Sequence, residues 1–364
     1  MSYNFYAGPA KLFPAVKKKL ADAIINYKDT GMGIEEISHR SPLYEDIHNK
    51  TISLIKEILH VPDNYSILLM QGGATAQFSA IPLNLSDLYK PAAYVLTGHF
   101  SELASEEASK YTKVTNIIFE GDRYKNIPDK ITYPDYLSYC HVTYNNTDTG
   151  IEFHSSFSEL QEAGIPVVAD MSSCLFHDLI NVSDFDLIYA GTQKNLGIAG
   201  CTIVIIKNDL IKDKLTTSCP RILNYKLIKE SNSLLNTPCT LATYTLYLTL
   251  KYIKKLDYFN IIEDNKNKAD KVKDFILNSN FYSFIPDVKN LSYSNIVFKT
   301  PTQTLDDKFV KVAESRQIYG LKGYRSVGGL RVSLYNAITQ EDVDYLLTFM
   351  ESFENANKEN IIIR

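Results

Sequence analysis

The residue whose type and setting first suggest chemistry is Lys194. Between Lys130 and Lys207 it is the only lysine, although 31 of the 38 basic residues in the chain are lysines and only 7 are arginines. So lysine-poor a span predicts a largely buried stretch. Lys194 follows the apolar run Leu187-Ile188-Tyr189-Ala190 in a loop flanked by Gly191 and Gly197. A desolvated lysine there has a depressed pKa and a nucleophilic amine; the bland alternative is a lysine extending its ammonium to water at a domain edge. Asp170 closes the run Pro166-Val167-Val168-Ala169. An acid at the C-terminal end of a buried parallel strand faces the crevice where such sheets bind ligands. It suits a ring-nitrogen cation, a metal, or a cap on Ser172-Ser173, but no neighbouring cluster of His and carboxylates completes a metal site. The third feature, Gln71-Gly72-Gly73-Ala74-Thr75-Ala76-Gln77, follows a strand and opens a helix. Its small residues let backbone N–H groups approach an anion, although a plain strand–helix turn needs small residues too. It lacks both GxGxxG and GxxxxGK[ST], which disfavours dinucleotides and nucleoside triphosphates. Taken together, an anion cradle, a strand-end carboxylate and a buried amine are what pyridoxal 5′-phosphate requires.

The elements that must position these groups follow from periodicity. Residues 14–27 and 44–59 carry apolar positions at helical spacing, such as Leu20, Ile24 and Ile25, and Ile47, Ile55 and Ile58. Short apolar runs at 66–70, 93–96, 114–118, 141–144 and 166–169 read as strands, separated by helix-compatible stretches at 75–84, 100–110 and 156–164. This alternation predicts an α/β fold: a mostly parallel sheet covered by helices. Beyond about residue 240 come two long helices (240–256 and 260–279), a strand at 295–298, a helix near 304–317, a strand at 330–334 and a terminal helix near 340–354. They predict a smaller α+β C-terminal domain. The expected division is a large domain of residues 16–255 and a small one of residues 1–15 with 256–364.

Composition narrows the partners. Thirty-eight basic against 42 acidic residues give a net charge of −4, with no basic footprint for nucleic acid and no polybasic run for a membrane surface. The longest apolar runs, such as Ile203-Val204-Ile205-Ile206, fall well short of the roughly 18 residues of a spanning helix. Met1-Ser2-Tyr3-Asn4-Phe5 lacks the start of a secretory signal. Five cysteines without a CxxC pair disfavour a disulfide framework, so the cytoplasm is the expected compartment.

Several ordered blocks then carry a family resemblance: Asn4-Phe5-Tyr6-Ala7-Gly8-Pro9-Ala10, Glu36-Ile37-Ser38-His39-Arg40, Gln71-Gly72-Gly73-Ala74 and Ile188-Tyr189-Ala190-Gly191-Thr192-Gln193-Lys194-Asn195. Leu235-Asn236-Thr237-Pro238, Gly320-Leu321-Lys322-Gly323 and Val327-Gly328-Gly329-Leu330-Arg331-Val332-Ser333 continue them. Over essentially its whole length the chain resembles the phosphoserine aminotransferases, fold-type I pyridoxal-phosphate enzymes of aminotransferase class V. The resemblance implies Lys194 as Schiff-base lysine and proton shuttle, Asp170 as partner of the pyridinium nitrogen, and Thr147 on the cofactor's ring oxygen. It implies Ala74, Thr75 and Gln193 around the cofactor phosphate, with Asn236 and Thr237 donated by a neighbouring subunit of a homodimer with shared active sites. Phe100 stands where the family commonly stacks a tryptophan, and this chain has no Trp. For the substrate, the resemblance places Arg331 on the α-carboxylate, and His39, Arg40 and Arg325 around the phosphate or side-chain carboxylate. Three of the 7 arginines fall at these positions, where a planar fork suits an anion. Thr75 and Tyr324 depart from an Arg and a His found in other members.

The implied activity is transamination between L-glutamate and 3-phosphohydroxypyruvate, giving O-phospho-L-serine and 2-oxoglutarate in serine biosynthesis. A serine or alanine aminotransferase of the same fold would leave Arg40 and Arg325 unpaired. A non-catalytic binding module has no use for an intact set of Lys194, Asp170 and Thr147. A cysteine desulfurase needs a reactive cysteine on a loop, whereas Cys219 and Cys239, beside apolar or proline-flanked stretches, are expected to be buried structural thiols.

Overall fold

A computed structural model describes residues 2–87, 89–119, 125–127, 131–154, 156–212 and 219–358. The chain begins with a short strand, β1 (Tyr3–Asn4), and two helices, α1 (Pro14–Ile25) and α2 (Pro42–Ile58). Each has a proline in its first turn, where the missing N–H has no intrahelical partner to lose. The Ser41 side chain caps α2 by accepting from the Tyr44 N–H. Helix α1 buries Val16, Leu20 and Ala23, while Ile24 and Ile25 stay exposed. The helical spacing was therefore right, but those two isoleucines fall outside the buried stripe.

Strand β2 (Tyr65–Gln71), helix α3 (Thr75–Leu85), β3 (Ala92–Val95), α4 (His99–Ala108), β4 (Val114–Ile117), β5 (Cys140–Thr143), α5 (Ser158–Glu162), β6 (Val167–Asp170), β7 (Leu187–Gly191) and β8 (Cys201–Lys207) follow. They build a seven-stranded sheet in the order β2-β8-β7-β6-β5-β3-β4. Strand β8 runs antiparallel to both neighbours, and the other pairings are parallel. The reversal has a simple cause. Only nine residues, 192–200, join β7 to β8, too few for the crossover that a parallel partner requires. The short return also keeps Lys194 at the sheet edge where β7 ends. Register brings Thr143 beside Asp170, and Asp170 beside Tyr189, so β5 and β6 finish together and β7 runs on to Gly191.

Both faces of this sheet are covered. Val142, Ala169, Ile188 and Ile203 pack with Leu246 and Leu250 on one side. Val168, Tyr189 and Val204 pack with Phe78, Ile81 and Ala104 on the other. Two-sided burial explains why these strands read as continuous apolar runs.

Past α6 (Tyr225–Glu230), the helices α7 (Thr240–Leu256) and α8 (Tyr258–Leu277) lead to β9 (Ser283–Phe284), β10 (Asn295–Lys299), α9 (Gln303–Ser315), β11 (Ile318–Tyr319), β12 (Leu330–Ser333) and α10 (Gln340–Asn357). Strands β12, β10 and β9 form an antiparallel sheet, and β1 pairs in parallel with β11. A separate core joins Phe5 to Val272, Phe298, Phe309, Val332 and Phe349. The N-terminal residues thus pack with the C-terminal ones, and β12 carries Arg331.

The turn 146–150 touches both parts of the fold. Gly150 N–H donates to the Asn146 carbonyl at 2.9 Å, and Gly150 sits at φ +75° with a Cβ position only 2.7 Å from Val297 Cγ2. Left-handed backbone and overpacking both penalise a side chain there. Gly150→Ala should cost about 2–4 kcal/mol in urea unfolding; a loss below about 0.5 kcal/mol would show that the turn relaxes freely.

The two cysteines depart from expectation. Cys239 is exposed and Cys219 only half-buried. Cys239 is the residue just before α7, whose buried face begins at Thr240, and Cys219 lies in the connection leading to α6. Neighbouring prolines and apolar residues marked loops here, not core.

Candidate active site

A cavity of roughly 260 Å³ opens where β5, β6 and β7 end. Asp170 reaches it from the last position of β6, Thr143 from the end of β5, and Asn145 and Thr147 from the turn beyond. Gln193 and Lys194 come from the return between β7 and β8, Ala74 and Thr75 from the start of α3, and Phe100 from the first turn of α4. Ala7 and Gly8 line it too, as do Tyr324 and Arg331 from the C-terminal part. Gly8 allows a close approach: a Cβ there would lie 3.1 Å from Lys194 Cγ.

Lys194 Nζ donates to Thr147 Oγ1 at 2.6 Å and lies 5.3 Å from the centroid of the Phe100 ring. Burial pulls its pKa below that of an ordinary lysine; the charge of Asp170 opposes the shift and that of Arg331 adds to it. An amine so placed holds its proton less firmly than a surface lysine.

Asp170 is 7% exposed, and its Oδ1 accepts from the Ser172 N–H at 2.9 Å. The capping alternative and the cavity-facing carboxylate therefore coexist in one residue. Behind it the His141 ring nitrogen Nε2 lies 2.8 Å from the Tyr189 hydroxyl, and burial pushes the imidazole down to about 4. At that value His141 is neutral at physiological pH and places no imidazolium charge behind Asp170.

Several buried polar atoms around the cavity lack partners: Thr143 Oγ1, Asn145 Oδ1, Gln193 Oε1 and Arg331 Nε. Buried groups of this kind cost about 1–3 kcal/mol each when unpaired, and these four belong to residues lining the same space. Helix α3 opens without a side-chain cap on its first-turn N–H groups, which leaves an anion site of the usual helix-terminal kind. A ligand with a phosphate, a polar ring and a carboxylate-bearing substrate fits this donor and acceptor set.

The other residues named from sequence lie elsewhere. Arg40, Arg325, Asn236 and Thr237 are exposed, His39 is half-buried, and none of the five lines this cavity of their own chain. The Gln71 side-chain amide donates to the Thr237 carbonyl, which sets the 236–237 segment beside the end of β2. Thr143 and Asn145 were missed, although the strand-end argument that found Asp170 applies equally to the run 141–144. Among the described residues, no group of three or more His, Cys, Asp and Glu side chains could hold a metal ion, and no helix is long and apolar enough to cross a membrane.

Comparison with known proteins settles the family. The aminotransferase class-V family model matches residues 2–346. A phosphoserine aminotransferase of Bacillus cereus is 41% identical over 360 residues, 98% of this chain and 99% of its own. The chain belongs to the phosphoserine aminotransferases of class V. The structure of the phosphoserine aminotransferase from Bacillus circulans subsp. alkalophilus superposes with a TM-score of 0.93 at 35% identity, covering 98% of this chain and 99% of that one. The PLP-bound phosphoserine aminotransferase from Trichomonas vaginalis gives 0.89 at 30% identity over 96% of this chain and 100% of that one. The family's fold-type I architecture is thus the architecture of this aminotransferase.

Proposed function

We propose that the enzyme moves an amino group between L-glutamate and 3-phosphohydroxypyruvate, giving O-phospho-L-serine and 2-oxoglutarate for serine biosynthesis in the cytoplasm. The observation that carries this reading is the convergence of Lys194, Thr147, Asp170 and Arg331 on one cavity, in a chain of this family. When bound, pyridoxal 5′-phosphate supplies an aldehyde for an amine and a ring that takes up carbanion charge.

The residues divide the work. Lys194 holds the cofactor between turnovers and, once free, takes the proton from the substrate's Cα; its burial suits an amine that must cycle between charged and neutral forms. Asp170 would hold the proton on the ring nitrogen, and the Thr147 hydroxyl, which accepts from Lys194 Nζ, would serve the ring oxygen. Phe100, with a smaller face than tryptophan, would cover the ring. Ala74 and Thr75 at the start of α3, with Gln193 from the return between β7 and β8, line the cavity where they would hold the cofactor phosphate. Arg331, fixed by its bond from Nη1 to the Thr147 carbonyl at 3.0 Å, binds the substrate's α-carboxylate.

A homodimer with shared active sites completes the set. Asn236 and Thr237 reach the cofactor phosphate of a neighbouring copy, and His39, Arg40 and Arg325 read the substrate phosphate. The exposure of Asn236, Thr237, Arg40 and Arg325 outside their own cavity, and of the apolar Ile24, Ile25 and Met32, supports pairing of two chains.

The test separates the two arginine roles. Arg325→Ala should depress kcat/KM for phosphoserine by the roughly 2–5 kcal/mol of a lost charged contact, and leave any activity on serine nearly unchanged. Arg331→Ala should depress both alike, since both substrates carry the α-carboxylate. Equal losses for phosphoserine and serine in Arg325→Ala would remove the phosphate from this reading.

A further inference from the structure

Asp148 is a buried carboxylate that the reaction as described does not use. It is fully buried and follows Thr147, the residue to which both cavity cations are tied: Lys194 through the Thr147 hydroxyl and Arg331 through the Thr147 carbonyl. Its Oδ2 accepts the His99 N–H at 2.7 Å at the start of α4, where the positive end of the helix dipole favours an anion. Its Oδ1 has no hydrogen-bond partner, and burial raises the pKa of the carboxyl, a shift that the His99 N–H opposes by bonding the charged form. The approach to α4 is close, for a Cβ on Gly98 would lie 3.0 Å from both Asp148 oxygens and from Asn146 Oδ1. The bond thus fastens the turn that carries Thr147 to the helix that carries Phe100.

The charge of Asp148 reaches further than its one bond. It acts on both Arg331 and Lys194, favouring the cationic form of each. Arg331 makes no direct ion pair with it among the described residues, so the guanidinium remains free for a ligand while part of its field is cancelled. The His99 N–H and the close approach of Gly98 hold the carboxylate in place, one residue from the Thr147 carbonyl that Arg331 bonds.

We propose that Asp148 is a positioning residue that sets the strength of Arg331 for carboxylates: the His99 bond fixes a second buried negative charge, beside Asp170, that weakens the arginine's hold on anions. The proposal rests on the reading of Arg331 as the carboxylate site. Such attenuation suits a reaction whose two substrates and two products all carry a carboxylate and must leave the same arginine.

The test uses holoenzyme and glutarate, a dicarboxylate with no amino or keto group to react, with binding followed by calorimetry. Asp148→Asn keeps an oxygen for the His99 N–H and removes the charge. It should tighten glutarate roughly three- to tenfold, the size of one charge acting across a partly screened interior, and lower the KM for glutamate in the same direction. Asp148→Ser, with a hydroxyl acceptor, should do the same and serves if the amide variant fails to fold. A purely structural role would loosen binding, so unchanged or weaker glutarate binding in the folded variant overturns the proposal. Arg331→Gln separates the two readings. If it abolishes glutarate binding while Asp148→Asn binds as wild type, the arginine's role stands and this proposal falls. If it leaves glutarate binding intact, the carboxylate site itself is misassigned and the proposal falls with it.

Discussion

Lys194→Ala should lose at least about four orders of magnitude in turnover, because the variant lacks both the amine that holds the cofactor and the base that takes the Cα proton. The cavity offers no substitute. Among its described lining residues Lys194 is the only lysine, and Arg331 is the only other cation. Its pKa, lowered by burial, is the property that an exposed lysine elsewhere cannot reproduce. The decisive readout is independent of rate. Borohydride treatment should fix pyridoxal phosphate to the wild-type chain and not to the variant, while the cavity still binds the cofactor through its phosphate. A small added amine should restore part of the proton transfer, since the variant leaves space where the side chain stood. Wild-type turnover in Lys194→Ala, with the cofactor still fixed by borohydride, would assign the amine to another residue.

How much of this was legible in the sequence depends on the range of the interaction involved. The strand that ends at Asp170 and the one that ends just before Lys194 were readable because two-sided burial writes continuous apolar runs, and their ends mark the crevice. The helices α8 and α10 were readable because each buries one stripe along its own length, and α7 because its long apolar run is buried against two cores. The direction of β8 was not, since the run 203–206 has the same composition whichever way it is threaded; only the short return from β7 decides it. Cys239 was misjudged for a related reason: local apolar neighbours do not say on which side of a helix start the core begins. Thr143 ends the run 141–144 and was within reach of the strand-end argument, its register beside Asp170 confirming the position; Asn145, in the turn beyond, was placed only by the fold. For Asn236, Thr237, His39 and Arg40 the motifs were present in the sequence, but one chain does not bring them to its own cavity.

Asp170→Ala should lower turnover by at least about two orders of magnitude, on the scale of the roughly 3 kcal/mol or more of a missing charge-stabilising group. The carboxylate stands at the last residue of β6, nearly buried, with Oδ1 engaged by the Ser172 N–H, so its other oxygen is the one left for a cationic ring nitrogen. Without that charge the nitrogen loses its proton more easily, and the ring takes up carbanion charge less well. Asp170→Asn distinguishes charge from shape. The amide oxygen can still accept from Ser172, so a structural role would be rescued, whereas the electrostatic role would not. The effect also extends to Lys194. Asp170 favours the charged form of that amine, so removing it lowers the amine's pKa further. Measured on cofactor-free protein by the pH dependence of amine labelling, the Lys194 titration should therefore move to lower pH in both variants. Near-wild-type turnover in Asp170→Asn, with an unmoved Lys194 titration, would show that Asp170 shapes the strand end and that the ring nitrogen finds its counter-charge elsewhere.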